Sequence, residues 1–372
     1  MVCANVREET SGGKKTMFDS IALSQLKING RVIRSATFEN SGEPGGKVPP
    51  RLRDFYENLV KGGAGVIITG MMGVGYNSGV NRNMAKIYGD GFAAEFEKVA
   101  EAVHRLGGKV IVQLGHCGAK ASDIDRGEGP YAPSEVTVGK GIPAKALSKD
   151  EIKELVAQYG LAALKCKSAG ADGVQIHGAH GYLISQFLSP YFNKREDEYG
   201  GSLENRSRFL FETYEEIRAR VGSEYPIWIK INSDDLTPGG LTLDECSQIC
   251  GKLDSLGIDA IELSGGIMTD KDTSPSRPVK TEEDEGSFAA SALRISSEIR
   301  TPVISVGGYR TPDVIERKLN EGNIAAVSLC RPLICEPDLL NRWRSGDRTK
   351  SRCVSCNKCF MIPMLGCNLR QQ

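Results

Sequence analysis

The sequence has little histidine and little tryptophan: four and two residues among 372. So few imidazoles can build one acid/base or metal site, not several. Charge of one sign is also lacking. Lys+Arg and Asp+Glu both total 47, and the formal net charge is zero. No global field recruits nucleic acid or an anionic lipid surface, so neither is expected as a partner. No apolar run reaches the length of a transmembrane helix. The opening stretch, MVCANVREETSGGKKTMF, lacks the apolar core of a secretory signal. Residues 1–17 are therefore read as a flexible lead-in, and the cytoplasm is the expected location. In that compartment the 11 cysteines read as thiols or ligands, not as a disulfide framework.

Glycine, by contrast, is plentiful, at 43 residues. It punctuates eight short β-branched runs: 31–37, 65–70, 109–115, 172–178, 226–232, 259–265, 302–308 and 324–330. Each is apolar at nearly every position, as a strand covered on both faces should be. Helical patterns with 3–4 spacing separate most of them. One opens at Ser148 with Glu151 three residues on, the spacing of a capping box. Repeated strand–helix units predict parallel strands joined by right-handed crossovers. Eight units predict a closed (β/α)8 TIM barrel, an α/β fold, over residues 18–345. A short cysteine-rich tail, 346–372, follows. The competing architecture is an open doubly wound sheet, which the lack of G-x-G-x-x-G after the first strand disfavours.

Barrels of this kind carry their chemistry at the C-terminal ends of the strands. Those ends here hold Ser35, Ala36, Thr37, Gly70, Gln113, His177, Lys230, Gly307, Gly308, Cys330 and Arg331. His180 and Tyr182 follow His177 directly in HGAHGY. Two connections, 116–148 and 178–203, are longer than usual, which marks them as functional. An amide such as Gln113 can read the edge of a pyrimidine-like ring. A cation such as Lys230 can stabilise negative charge on it. Small residues at 307–308 and an arginine at 331 suit a phosphate. A flavin mononucleotide (FMN) combines these three parts.

The stretch HGAHGYLISQFLSPYFNKREDEYGGSLENRSRF (177–209), with RSATFE (34–39), QLGHCG (113–118) and VSLCRPLICEPDL (327–339), resembles the Old Yellow Enzyme family. The similarity is greatest to the branch that includes the barrel domain of bacterial 2,4-dienoyl-CoA reductases. It covers roughly residues 20–340. The resemblance implies FMN, with NADH or NADPH as reductant, and reduction of the C=C bond of an α,β-unsaturated carbonyl compound. It places Ser35, Ala36 and Thr37 along the flavin, Gly70 and Gln113 at its pyrimidine edge, and Lys230 beside N1 and O2. Gly307, Gly308, Cys330 and Arg331 would hold the phosphate. His177 and His180 would grip the substrate carbonyl, and Tyr182 would donate the proton. Three positions depart from the family pattern. Glu39 stands where a substrate-facing tyrosine is common and is expected to make the pocket more polar. Lys230 replaces an arginine, and Cys330 a glycine. The alternatives are a flavin-barrel NADH oxidase, an amine or steroid dehydrogenase, or a flavin electron-carrier subunit. A homo-oligomer is left open.

The plainer readings are these. His177 and His180 could be a metal pair, but no third ligand stands beside them. Lys230 could form a Schiff base. His116 reads as structural or supporting, His104 as a surface residue on a helix. REDEYGGSLENRSRF (195–209) reads mostly as a solvated charge run, with Arg206 as a candidate anchor for the long loop. The tail cysteines Cys353, Cys356, Cys359 and Cys367 have thiolate-ligand spacing, suited to a [4Fe–4S] cluster or zinc. Their spacing departs from that of the cluster-bearing relatives, and the sequence stops at Gln372, short of the flavin and NADPH domains of those relatives. An unmetallated tail is therefore expected ahead of a cluster, and zinc last.

Overall fold

The computed structural model describes residues 13–43, 45–127, 129–139, 141–269, 272–362 and 366–370. Most of the expected lead-in, residues 1–12, lies outside them. Eight parallel strands form at the expected places: β1 (Val32–Arg34), β2 (Val66–Ile68), β3 (Lys109–Gly115), β4 (Gly173–Gly178), β5 (Ile227–Asn232), β6 (Ala260–Ser264), β7 (Val303–Val306) and β8 (Ile324–Leu329). Each pairs with its sequence neighbour, β8 pairs with β1, and the sheet closes into a (β/α)8 barrel.

Helices α1 (Pro50–Lys61), α2 (Phe92–Arg105), α3 (Lys149–Ser168), α4 (Leu203–Val221), α5 (Leu243–Leu256), α6 (Ala289–Glu298) and α7 (Pro312–Asn320) lie outside it. Their starts follow local chemistry. Ser148 and Glu151 form the expected capping box at α3, and Thr242 with Glu245 forms another at α5. After β8 the chain forms two short helices, Arg331–Cys335 and Leu339–Arg344. Pro337 lies in the break and has no N–H to continue the first helix.

The barrel interior is layered by the two-residue period of the strands. Ile33, Ile111, Trp228, Ala260, Ile304 and Ala326 form an apolar floor. A small hairpin, Ile21–Leu23 with Leu26–Ile28, plugs the N-terminal end through its own buried aliphatic residues. Two residues further along five of these strands the inward positions turn polar: Ser35, Gln113, Lys230, Glu262 and Ser328, all buried. The apolar floor thus keeps water out from below, and the polar layer faces the barrel mouth.

The two long loops are packed, not loose. The segment expected to be a solvated charge run is corrected at Arg195, while Arg206 anchors the loop as the sequence allowed. Arg195 donates to the carbonyls of Pro133 (2.8 Å) and Leu147 (2.6 Å) and pairs with Asp197 at 2.6 Å. It thereby ties the loop after β4 to the loop after β3. Arg206, at the start of α4, donates to the Leu188 and Gly201 carbonyls and pairs with Glu245 at 2.5 Å. Arg206 is buried and Arg195 nearly so, and the donors of both are matched to fixed acceptors. Among the described residues no helix is long and apolar enough to cross a membrane.

Arg206→Met leaves two loop carbonyls and Glu245 without their charged donor. Each such bond is worth about 1.5–3 kcal/mol. The variant should lose about 2–4 kcal/mol of unfolding free energy, read as a lower urea midpoint; an unchanged midpoint would show that Arg206 does not anchor the loop.

Candidate active site

A cavity of about 460 Å³ opens at the C-terminal ends of the strands. That lies within the usual range for small-molecule sites, about 300–1,000 Å³. It brings together Ser35, Ala36, Thr37, Gln113, His177, His180, Tyr182, Lys230, Gly307, Gly308, Cys330 and Arg331. Every cofactor and substrate residue expected from the sequence is there except Gly70.

Gly70 lies behind the wall. A Cβ there would stand 2.6 Å from the Thr37 carbonyl oxygen and 2.8 Å from Glu39 Oε2. The residue is small so that the ends of β1 and β2 can meet. Glu39 is likewise corrected: it does not face the cavity. It is the counter-ion of Arg34, at 2.7 Å, and accepts from the Tyr56 hydroxyl at 2.6 Å. Arg34 points away from the barrel interior and is buried, so it requires a carboxylate nearby.

The floor of the cavity is one connected polar layer. Glu262 accepts from Ser35 Oγ (2.7 Å), Ser328 Oγ (2.6 Å) and Gln175 Nε2 (2.8 Å), and Lys230 Nζ stands 3.2 Å from it. Gln175 accepts from Gln113 Nε2 at 2.8 Å, and Lys230 also donates to Ser35 Oγ at 2.8 Å. Burial pushes the Glu262 carboxyl up, but the Lys230 charge and the three donors outweigh it and hold the group below its usual range. Sequence reasoning named Gln113, Ser35 and Lys230 but missed Glu262, Gln175 and Ser328. The signal was present: Glu262 and Ser328 follow the apolar inward positions Ala260 and Ala326 by two residues.

Above this layer stand the histidines. Strand register sets His177 beside Lys230. The His177 ring lies 5.2 Å from that of His180 and 5.0 Å from that of Tyr182, edge-on in both cases. His180 has a left-handed backbone (φ 63°), uncommon for a residue with a Cβ. Three contacts hold it there. Its N–H donates to Asn232 Oδ1 (3.0 Å), its ring meets Ser264 Oγ (2.8 Å), and its carbonyl accepts from Lys120 Nζ (2.8 Å). Lys120 also donates to the Ile267 carbonyl at 2.5 Å, so it joins the loops after β3, β4 and β6. Sequence reading missed it, because only the folded loops bring it to this point.

Burial, with Lys230 and Lys120 nearby, holds His177 well below the usual histidine range. For His180, burial is joined by His177 and the same two lysines. Both imidazoles are thus neutral at pH 7, each with one N–H to offer. Burial pushes the Tyr182 phenol up, so it retains its proton. His116 is structural, as one reading of the sequence had it. Its Nε2 meets the Tyr76 carbonyl at 3.0 Å, and Nδ1 accepts from the Gly118 N–H. His104 sits on α2 against Asp172.

At the far end Gly307 (φ 138°) and Gly308 (φ 77°) bring backbone to the cavity wall. A Cβ at 307 would stand 2.7 Å from the Ser287 nitrogen, so the loop after β6 docks there only against glycine. Arg331 reaches the tail, donating to Asn357 Oδ1 at 2.7 Å. A second cavity of about 280 Å³ is lined by Cys353, Cys356, Cys359 and Cys367 and shares Arg331 and Asn357 with the first. Among the described residues no group of three or more His, Cys, Asp or Glu is arranged to hold a metal ion. FMN fits the main cavity. Its polar layer suits a ring edge, and its glycine-lined end leaves backbone within reach of a phosphate.

The family model for NADH:flavin oxidoreductase / NADH oxidase matches residues 16–350. An NADH oxidase from Thermoanaerobacter brockii is 35% identical over 347 residues, covering 92% of this chain and 52% of that protein. The chain thus spans about half the length of that curated relative. Among solved structures, a 2-naphthoyl-CoA reductase complex with 2-naphthoyl-CoA superposes with TM-score 0.88 at 27% identity, over 95% of this chain and 56% of that one. The old yellow enzyme homologue from Zymomonas mobilis gives TM-score 0.77 at 25% identity, over 90% and 94%.

Neutral buried imidazoles carry a stability signature. Below the ordinary histidine value of about 6.5 the unfolded chain takes up protons that the folded His177 and His180 refuse. Stability should therefore fall as pH drops from 7 to 5.5, by up to about 1.4 kcal/mol per pH unit for each histidine. Urea midpoints at both values check this, with His177→Asn expected to fall less. Equal falls in parent and variant would contradict the neutral pair.

Proposed function

Because the chain belongs to the NADH:flavin oxidoreductase / NADH oxidase family, we propose that it binds FMN at the barrel mouth. There it reduces the C=C bond of α,β-unsaturated carbonyl compounds, with NADH or NADPH as electron source. One observation carries the reading: His177, His180 and Tyr182 line one wall of the cavity above the Gln113–Lys230 layer.

When bound, FMN would supply the hydride. The protein supplies orientation and charge stabilisation. Gln113 and Lys230 would hold the pyrimidine edge, and Thr37 would lie near its carbonyl. The backbone at Gly307, Gly308 and Cys330, with Arg331, would hold the phosphate. His177 and His180, each neutral, would donate N–H bonds to the carbonyl oxygen, where negative charge collects as the β carbon is reduced. Donors fixed before the reaction stabilise that charge without reorganising. Tyr182, which keeps its proton, would deliver it to the α carbon. The histidine pair favours a carbonyl substrate over an amine.

The electron-carrier alternative draws on the neighbouring thiol cavity, which shares Arg331 and Asn357 with the main one.

The purified protein should be yellow and release FMN on denaturation. A phenol should give a long-wavelength charge-transfer band. His177→Ala with His180→Ala should abolish the band and slow reoxidation by enones about 10²-fold or more, the scale of a lost oxyanion donor, while FMN stays bound. Anaerobic stopped-flow after reduction with NADH or NADPH reads this directly. Unchanged reoxidation in the double variant would remove the histidine pair from the mechanism, and failure of every enone to reoxidise the parent would favour the carrier reading.

A further inference from the structure

The carboxylate of Glu262 has no exposed surface, yet it lies under the cofactor cavity and not in a surface ion pair. Its acceptor capacity is used completely. Oε1 takes Ser35 and Ser328, and Oε2 takes Gln175 and Lys230. Those partners come from β4, β5 and β8 and from the residue after β1, while Glu262 itself is on β6. Through Gln175 the chain of contacts continues to Gln113 on β3. One side chain thus fixes groups from five other strands, four of which line the cavity: Ser35, Gln113, Lys230 and Ser328.

The charges matter as much as the positions. Lys230 is buried, and Glu262 at 3.2 Å is its ion-pair partner. Together they present no net charge to whatever sits above. A positive charge left alone at that place would favour an electron-rich ring, and a negative one would oppose it.

We propose that Glu262 is a positioning residue for the pyrimidine edge of the bound flavin, and that by neutralising Lys230 it sets the flavin's reduction potential. The proposal rests on the FMN reading above. Glu262 touches neither substrate nor cofactor; it acts through Lys230, Ser35 and Gln175.

The test is the midpoint potential of the FMN-loaded protein, measured against a reference dye. Glu262→Gln keeps the shape and removes the negative charge, so the potential should rise. Lys230→Met removes the positive charge, so it should fall. Each shift should change the ratio of reduced to oxidised flavin on the order of tenfold at fixed solution potential, about 30 mV for a two-electron couple. The double variant should return towards the parent. Glu262→Asp keeps the charge but withdraws the oxygens. Its potential should stay near the parent's while FMN affinity falls at least threefold, and it remains informative should Glu262→Gln fail to fold. Shifts of the same sign in the two charge variants, or none, would overturn the proposal, as would an Asp variant with the Gln variant's potential. A parent protein that takes up no FMN would instead sink the cofactor reading itself.

Discussion

A carboxylate and an ammonium group 3.2 Å apart inside a barrel, neither exposed to solvent, set the conditions for everything above them. Desolvating two charges is expensive, and their attraction repays it only when the remaining lone pairs and protons are satisfied. Glu262 meets that condition with three further donors, and Lys230 with Ser35. The cost of the pair therefore dictates the neighbouring residues. Serines after β1 and on β8 and a glutamine on β4 are there because the carboxylate needs them. The result is a fixed polar surface at the barrel mouth, closed from below by the apolar floor and the terminal hairpin.

The second layer depends on the first for register and on the loops for shape. His177 is aligned beside Lys230 by strand pairing alone. His180 is not on a strand, and its left-handed backbone must be held against strain. Asn232, Ser264 and Lys120 hold it from three different strand–loop segments. The long loops in turn are pinned by Arg195 and Arg206, whose donors go to backbone carbonyls that would otherwise be unpaired. A rigid barrel with anchored loops keeps the two imidazoles at a fixed separation, which a mobile loop could not.

Glu39 and Gly70 fall outside the cavity for one cause. Each sits next to residues that line the cavity, so adjacency in sequence suggested the same role. Arg34 points outwards, however, and draws Glu39 after it, while Gly70 is consumed by the close approach of β1 to β2. Sequence spacing places a residue near a strand end but does not say on which side of the wall the side chain falls.

The sequence by itself determined the eight strands, the barrel and most of the residues at its mouth, because strand and helix periods are local and the barrel puts strand ends together by construction. It also carried the alternation that makes Glu262 and Ser328 inward-facing. Only the tertiary structure decided which polar groups meet. Glu262 to Ser35 is a contact across 227 residues, and Lys120 to Ile267 one across 147. Such contacts depend on barrel closure and loop packing, in which every strand's position fixes its neighbours', and no local pattern encodes them. The neutrality of the histidines has the same origin, since burial and two lysines distant in sequence withhold the proton.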